Sequence, residues 1–313
     1  MELLIQYTLI YASVLILVAL GGMFSERSGV INLGLEGTMV FGALGGAFVL
    51  FLMPVNANPA LIVTATLLAS VICGMLFSLL LAVAAINFKA DQTLVGTAMN
   101  MIATAACTVI VKSFNNARTA GMVERDPSAI IKFLENIKWF RFHGWNLIYI
   151  VITAVLIAVS VFVLYKTRFG LRLMACGEHP QAADSVGINV YKMRYCGVLI
   201  SGFLGGLGGI IYITSAASEW NFLYGVAGAG FLALAVMIFG QWKPVLIAVS
   251  ALFFGVFRAI ADTYTGFEFL VNLVPGEVYK MLPYIISLVV LAFTSKKSRA
   301  PKAEGIPYDK STR

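Results

Sequence analysis

The stretch SERSGVINLGLEG, Ser25 to Gly37, decides how this sequence is read, because it sets Glu26, Arg27, Asn32, Glu36 and three glycines between apolar runs. Asn32 and Glu36 are four apart and share a face if the backbone is helical. Gly29, Gly34 and Gly37 weaken a helix there and let other backbone approach closely. A carboxylate at mid-bilayer costs about 2.5 to 3.5 kcal/mol on insertion scales, so Glu36 must face protein, water or a cation. Two readings are open for it: an internal ion pair or helix-end acceptor, and a polar lining of a transport path.

Working outward, the chain is a membrane protein. Of 313 residues, 60% are hydrophobic and 12% charged, with a mean hydropathy of +0.90, whereas soluble chains carry about a quarter charged residues. Continuous apolar runs, without the alternation of a transmembrane barrel, predict an all-α polytopic bundle in one domain. About nine spans are expected: near Leu3 to Met23, Val30 to Met53, Ala60 to Ile86, Thr93 to Phe114, Asn146 to Tyr165, Tyr195 to Ala217, Val226 to Phe239, Val245 to Ile260 and Tyr279 to Thr294. The second is expected to be broken, and the seventh and eighth, separated by GQWKP, to be short or tilted. The first run starts behind Glu2 without a basic segment, so it is read as a span and not as a cleaved leader. Leu50 is taken as lipid-facing.

The net charge of +7 gathers at the ends of apolar runs, where Lys and Arg set topology; the partner this implies is anionic lipid and not nucleic acid. Two basic segments lack an apolar run, residues 166–194 and the tail 296–313, and the positive-inside rule makes both cytoplasmic. Residues 1–295 then form one transmembrane domain. The loop Asn115 to Trp145 lies outside despite five basic residues, and Ile130, Leu134 and Ile137 at helical spacing predict a short surface helix there, either a connector or a docking surface.

Catalytic chemistry is poorly provided for. His143 and His179 fit no metal-ligand spacing, the four cysteines form no C-x-x-C, and no G-x-S-x-G or G-x-x-x-x-G-K-[ST] motif occurs. The chain is therefore read as a non-enzymatic subunit without metal or cofactor of its own. Asn100, with Gln92, Thr93 and Thr97 nearby, is a second buried polar candidate, for helix bonding or for substrate. Gly202 with Gly206, and Gly205 with Gly209, make overlapping G-x-x-x-G pairs for close helix packing within the chain or across a dimer.

In GEHPQAADSVGI, Pro180 suits a first helical turn, Gln181 to Val186 a short helix and Gly187 its end. Carrying Ala182, Ala183 and Val186, this knob suits a shallow socket on another protein. The run RFGLRLMACGEHPQAADSVGINVYKMR and the helix after it resemble the coupling segment of ATP-binding-cassette importer permeases of the ribose and branched-chain amino acid type. GGMFSERSGVINLGLEGTMVFGA is closer still to the nucleoside-uptake permeases of that family, and GAGFLALAVMIFGQWKP resembles a later family segment, with GQWKP departing from the usual smaller, glycine-rich turn.

The resemblance implies an importer subunit in the bacterial plasma membrane. It pairs with a second permease and with ATPases that bind the ATP, and receives substrate from a binding lipoprotein. Gly177, Glu178, Pro180, Ala182, Ala183, Asp184 and Gly187 would make the contact with the ATPase. Asn32, Glu36, Asn100 and Phe231 would line the substrate path. A sugar or branched-chain amino acid cargo stays open, as does an ion-coupled secondary transporter, although the latter predicts broken helices paired in two inverted halves.

Overall fold

The computed structural model describes residues 2–54, 56–119, 128–132, 145–216, 219–267, 275–294 and 299–310. Four long helices come first: α1 (Glu2–Arg27), α2 (Leu35–Leu52), α3 (Pro59–Ala82) and α4 (Gln92–Arg118). After the short strand β1 (Ile130–Lys132) follow α5 (Trp145–Lys166), α6 (Arg168–Glu178), α7 (Pro180–Ser185) and α8 (Val190–Ala216). Strand β2 (Glu219–Asn221) precedes α9 (Ala229–Phe239), α10 (Pro244–Thr263) and α11 (Gly276–Thr294).

Among the described residues, seven helices are long and apolar enough to cross a membrane. With α9 and α11, each of the nine expected runs has its helix. α9, at 11 residues, spans about 16 Å at 1.5 Å per residue, half a hydrocarbon core. α10 is a full-length span where a short one was expected. The break expected in the second span falls at its head, in residues 28–34, and α2 itself is continuous.

Helix ends are stopped by local chemistry. The Asn58 side chain accepts from Ala60 N with Pro59 in the first turn of α3, and Asp91 accepts from Thr93 N and Leu94 N at the head of α4, each satisfying amides that a helix leaves open. α3 ends in a π-helical turn, Val83–Asn87.

The core is built around α1 and α8. α1 is buried from Ile10 to Glu26, as expected of a helix apolar on every side. α8 packs against α1, α2 and α3 through its glycines. A Cβ on Gly202 or Gly206 would strike Ser78 or the Ser70 carbonyl of α3, and one on Gly205 or Gly209 would meet Thr38 or the Met39 carbonyl of α2. At Gly206 the approach is tight enough for Ser70 Oγ to donate to its carbonyl at 2.6 Å. The G-x-x-x-G surface is thus occupied within this chain.

α3 turns Leu68, Ile72, Leu76 and Leu80 outward, a stripe at four-residue spacing facing the surroundings. Leu50, in contrast, is fully buried and not lipid-facing: α2 is enclosed by α3, α4 and α8. The surface helix expected from Ile130 is corrected too. Ile130–Lys132 is a strand paired antiparallel with β2, Ile131 opposite Trp220, so a partner distant in sequence overrode helical spacing. Asn115 Nδ2 ties this ladder to the end of α4 through the carbonyls of Ser128 and Ile130. Leu134 and Ile137 lie outside the described residues.

Candidate functional site

Two helices begin inside the bundle, and their open amides define the site. Residues 28–34 leave the end of α1 and run inward, so α2 starts among α4, α8 and α9. On the other side, Asn221 to Gly228 leads from β2 down to α9, which also starts in the interior and ends near Arg27. A helix start leaves four N–H groups without intrahelical acceptors, and in hydrocarbon each open group costs several kcal/mol.

Three side chains fill these gaps. Asn100 Oδ1 accepts from Gly37 N at 2.8 Å, and its Nδ2 donates to the Leu33 carbonyl at 2.8 Å. Asn32 Oδ1 accepts from Gly34 N at 3.0 Å, and its Nδ2 donates to Ser201 Oγ at 2.8 Å. Glu36 accepts from Gly228 N and Gly230 N at 2.8 and 2.7 Å, one oxygen to each. A carboxylate at a helix N-terminus also meets the positive end of the helix dipole. Of the two readings of Glu36, the helix-end acceptor describes its bonding here.

The structure therefore brings Asn32, Glu36 and Asn100 to one junction, each engaged with protein. Phe231 joins them one residue beyond Gly230, with 48% of its surface exposed on α9. Gly225, at φ +56°, carries the chain past Thr104 and Glu36, and Tyr284 Oη of α11 donates to the Ala227 carbonyl at 2.6 Å. Ser201 and Thr104 went unnoticed in the sequence, where single hydroxyls in apolar helices carry no distinguishing signal.

A second group of contacts joins this junction to the end of the bundle bearing α6 and α7. Ser25 Oγ donates to the Val30 carbonyl at 2.8 Å and Ser28 Oγ to the Ser25 carbonyl at 2.6 Å, closing the turn after α1. The GQWKP turn has a role here. Gln241 and Trp242 both hold φ of +53°, a conformation costing about 1 to 3 kcal/mol for such residues. Trp242 Nε1 donates to Glu26 at 2.6 Å and Arg27 Nη2 donates to the Trp242 carbonyl at 3.1 Å. These bonds on a buried tryptophan offset the strain and fix the C-terminal end of α9 to α1.

α6 and α7 form the knob. Thr167 opens α6 by accepting from Gly170 N, and Pro180 occupies the first turn of α7. Gly187 ends the knob at φ +83°, with its N–H on the Asp184 carbonyl at 2.9 Å. Pro180 and Ala183 point inward and are buried, while Ala182 and Val186, the latter 74% exposed, face outward. Gly177 packs so closely on the Arg27 carbonyl that a Cβ would come within 2.3 Å. Arg27 Nη1 lies 3.9 Å from Glu178, so the knob rests directly on the end of α1.

An apolar bundle in which two helices open inward onto paired polar side chains, braced from a rigid knob at one end, is the build of a polytopic transport permease. The chain belongs to the family described as branched-chain amino acid transport system / permease component, which matches residues 4–291. It is 42% identical to the guanosine ABC transporter permease protein NupQ of Bacillus subtilis, over 100% of this chain and 98% of that protein. It is 37% identical to the nucleoside ABC transporter permease protein NupC of Lactococcus lactis, over 99% and 98%. With NupB, a nucleoside ABC transporter permease of the same Lactococcus, it shares 24% identity over 52% of this chain and 44% of that one. No solved structure matches the chain at a significant level.

Proposed function

We propose that the chain is the membrane-spanning subunit of an ATP-driven ABC importer that brings nucleosides across the bacterial plasma membrane. The observation that carries this reading is the full-length similarity to NupQ and NupC. In this reading ATP is bound and hydrolysed by separate ATPase subunits, and a lipoprotein delivers the cargo from outside. That Lactococcus lactis has two nucleoside ABC transporter permeases, NupC and NupB, supports a second, homologous permease subunit that pairs with this one as a heterodimer.

α7 is then the cytoplasmic coupling helix, with Gly177, Glu178, Pro180, Ala182, Ala183, Asp184 and Gly187 as its coupling set: the outward Ala182 and Val186 meet the ATPase, the inward Ala183 packs against α6 and α8, and Gly177 and Glu178 rest on the end of α1. Packed helices switch between discrete arrangements. A shift of α7 passes through Glu178 and Gly177 to Arg27, and from there to the junction where α2 and α9 begin. Asn32, Glu36 and Asn100 hold the wall of the path, and Phe231 offers an exposed ring, against which base stacking contributes about 1 to 3 kcal/mol.

The test is uptake into proteoliposomes by the assembled permeases, ATPase and lipoprotein. Labelled guanosine is expected to accumulate only with ATP inside the reaction and regardless of ion gradients. Accumulation driven by an ion gradient without ATP would sink the reading. A second reading, a branched-chain amino acid or simple sugar as cargo, rests on the family description, and preferential uptake of leucine or ribose would select it.

A further inference from the structure

Residues 301–310 do not extend away from the bundle; they thread between the knob and the membrane helices. Ala303 N donates to the Gly177 carbonyl at 2.8 Å, filling one of the open acceptors at the end of α6. Gly305, at φ +77°, passes over Ile31 in the turn after α1. The Ile306 carbonyl accepts from Nη1 of Arg194, a guanidinium buried to 1% exposure on α8 whose Nε and Nη2 have no partner among the described residues. A buried charge is costly unless it is paired and hydrogen-bonded, so this segment supplies an acceptor that α8 needs.

The contacts continue on both sides. Pro307 borders a groove of about 370 Å³ with Lys89 and Gln92 at the turn from α3 to α4. Gln92 in turn accepts from Ile31 N at 2.7 Å. Tyr308 is buried with Cys176 of α6, Ala183 of α7 and Val190 of α8, its ring edge-on to Tyr191 at 5.4 Å. Asp309 pairs with Lys89 at 2.5 Å. Lys310 lines a groove with Asp184 and Gly187. Within ten residues the chain thus touches the knob, the turn after α1, the start of α8 and the turn before α4.

We infer that residues 301–310 are a positioning strap that fixes α6 and α7 to the α1–α2 and α3–α4 turns, so that displacement of the knob reaches both turns together. The strap acts through the knob, and its coupling role rests on the importer reading above. Without the strap, the main contacts of α6 and α7 with the membrane helices are those with α1, α5 and α8, and it is the strap that carries the knob to the α3–α4 turn through Asp309 and Lys89.

Two measurements test the strap separately from that reading. In the purified full chain, Tyr308→Ala is expected to raise amide hydrogen exchange in α6 and α7 while the middle of α8 stays protected; Tyr308→Phe, which keeps the ring, restores protection. Unchanged exchange in Tyr308→Ala would overturn the strap. In the assembled complex, Tyr308→Ala is expected to lower guanosine imported per ATP hydrolysed by about fivefold or more, the low end of ordinary site-to-site coupling, with Tyr308→Phe near wild type. A loosened knob with an unchanged transport-to-hydrolysis ratio would overturn its coupling role. If the wild-type complex shows no ATP-driven uptake at all, the importer reading fails and the coupling role with it, while the exchange result decides the strap by itself.

Discussion

Glu36 in the first turn of α2 holds the first turn of α9 by accepting from Gly230 N at 2.7 Å, across 194 positions of sequence. With Gly228 N on its other oxygen, one carboxylate joins two helices that both begin inside the bundle. Hydrogen bonds to a charged group contribute about 1.5 to 3 kcal/mol each, so this joint is among the strongest polar contacts of the interior.

Glu36→Gln replaces one acceptor oxygen by an NH2 group facing a backbone donor. It is expected to lower stability by about 1 to 3 kcal/mol and to reduce uptake severely. Leu52→Ala, on an exposed position of the same helix, should leave both nearly unchanged. Thermal unfolding in detergent and transport assays check the pair; equal behaviour of the two variants would remove Glu36 from the joint.

Gly187→Ala tests the end of the knob. Nothing lies within 4 Å of the added Cβ, so the change acts through the backbone alone, and the positive φ costs an L-residue about 1 kcal/mol. Fraying of α7 should follow, read as faster hydrogen exchange at Asp184 to Gly187 and as weaker stimulation of the ATPase. Gly187→Asn, which tolerates this conformation better, should fall between the two.

Gly206→Ala places a methyl within 2.5 Å of the Ser70 carbonyl. The α3–α8 contact must open, costing about 1 to 3 kcal/mol or more. Gly266→Ala, with open space around the added atom, serves as the control. Comparable melting temperatures for the two variants would contradict the close packing described.

Docking of the strap should depend on pH. Burial pushes the Glu304 carboxyl up to about 7 from an ordinary value near 4.5, against the Arg27 guanidinium, which pulls it down. Glu26, also buried at the end of α1, lies beside it. The docked segment holds the proton more tightly than the released one, so docking is strongest below pH 4.5 and weakens as pH rises towards about 7, then levels off. Proteolysis of the strap should therefore accelerate between pH 5 and pH 7, and Glu304→Gln should flatten the profile.

Much of this was legible in the sequence because it rests on local physics. Apolar run length marks the spans, since transfer free energy sums along a helix. Pro180 and Gly187 bracket α7 because one fixes a helical φ and the other tolerates a positive one. The polar stretch from Ser25 to Gly37 marks a break because charges and glycines do not sit idle in hydrocarbon. Asn32, Glu36 and Asn100 stood out for the same reason.

What those three residues bond to, only the tertiary structure decided. The acceptors and donors they meet lie on α8, on α9 and, for Asn100 of α4, at the head of α2, and no local period encodes a pairing across 192 positions. Trp242 reads as a turn residue until Glu26 is placed beside it. Ile130, Leu134 and Ile137 recur at helical spacing, yet at Ile130–Lys132 β2 offers ladder bonds that a lone surface turn cannot match. The tail 296–313 reads as a basic cytoplasmic segment, and the burial of residues 301–310 within it follows from a guanidinium on α8 that needs an acceptor. Composition and periodicity fix which groups cannot be left alone in a membrane; the folded chain fixes which of them satisfy one another.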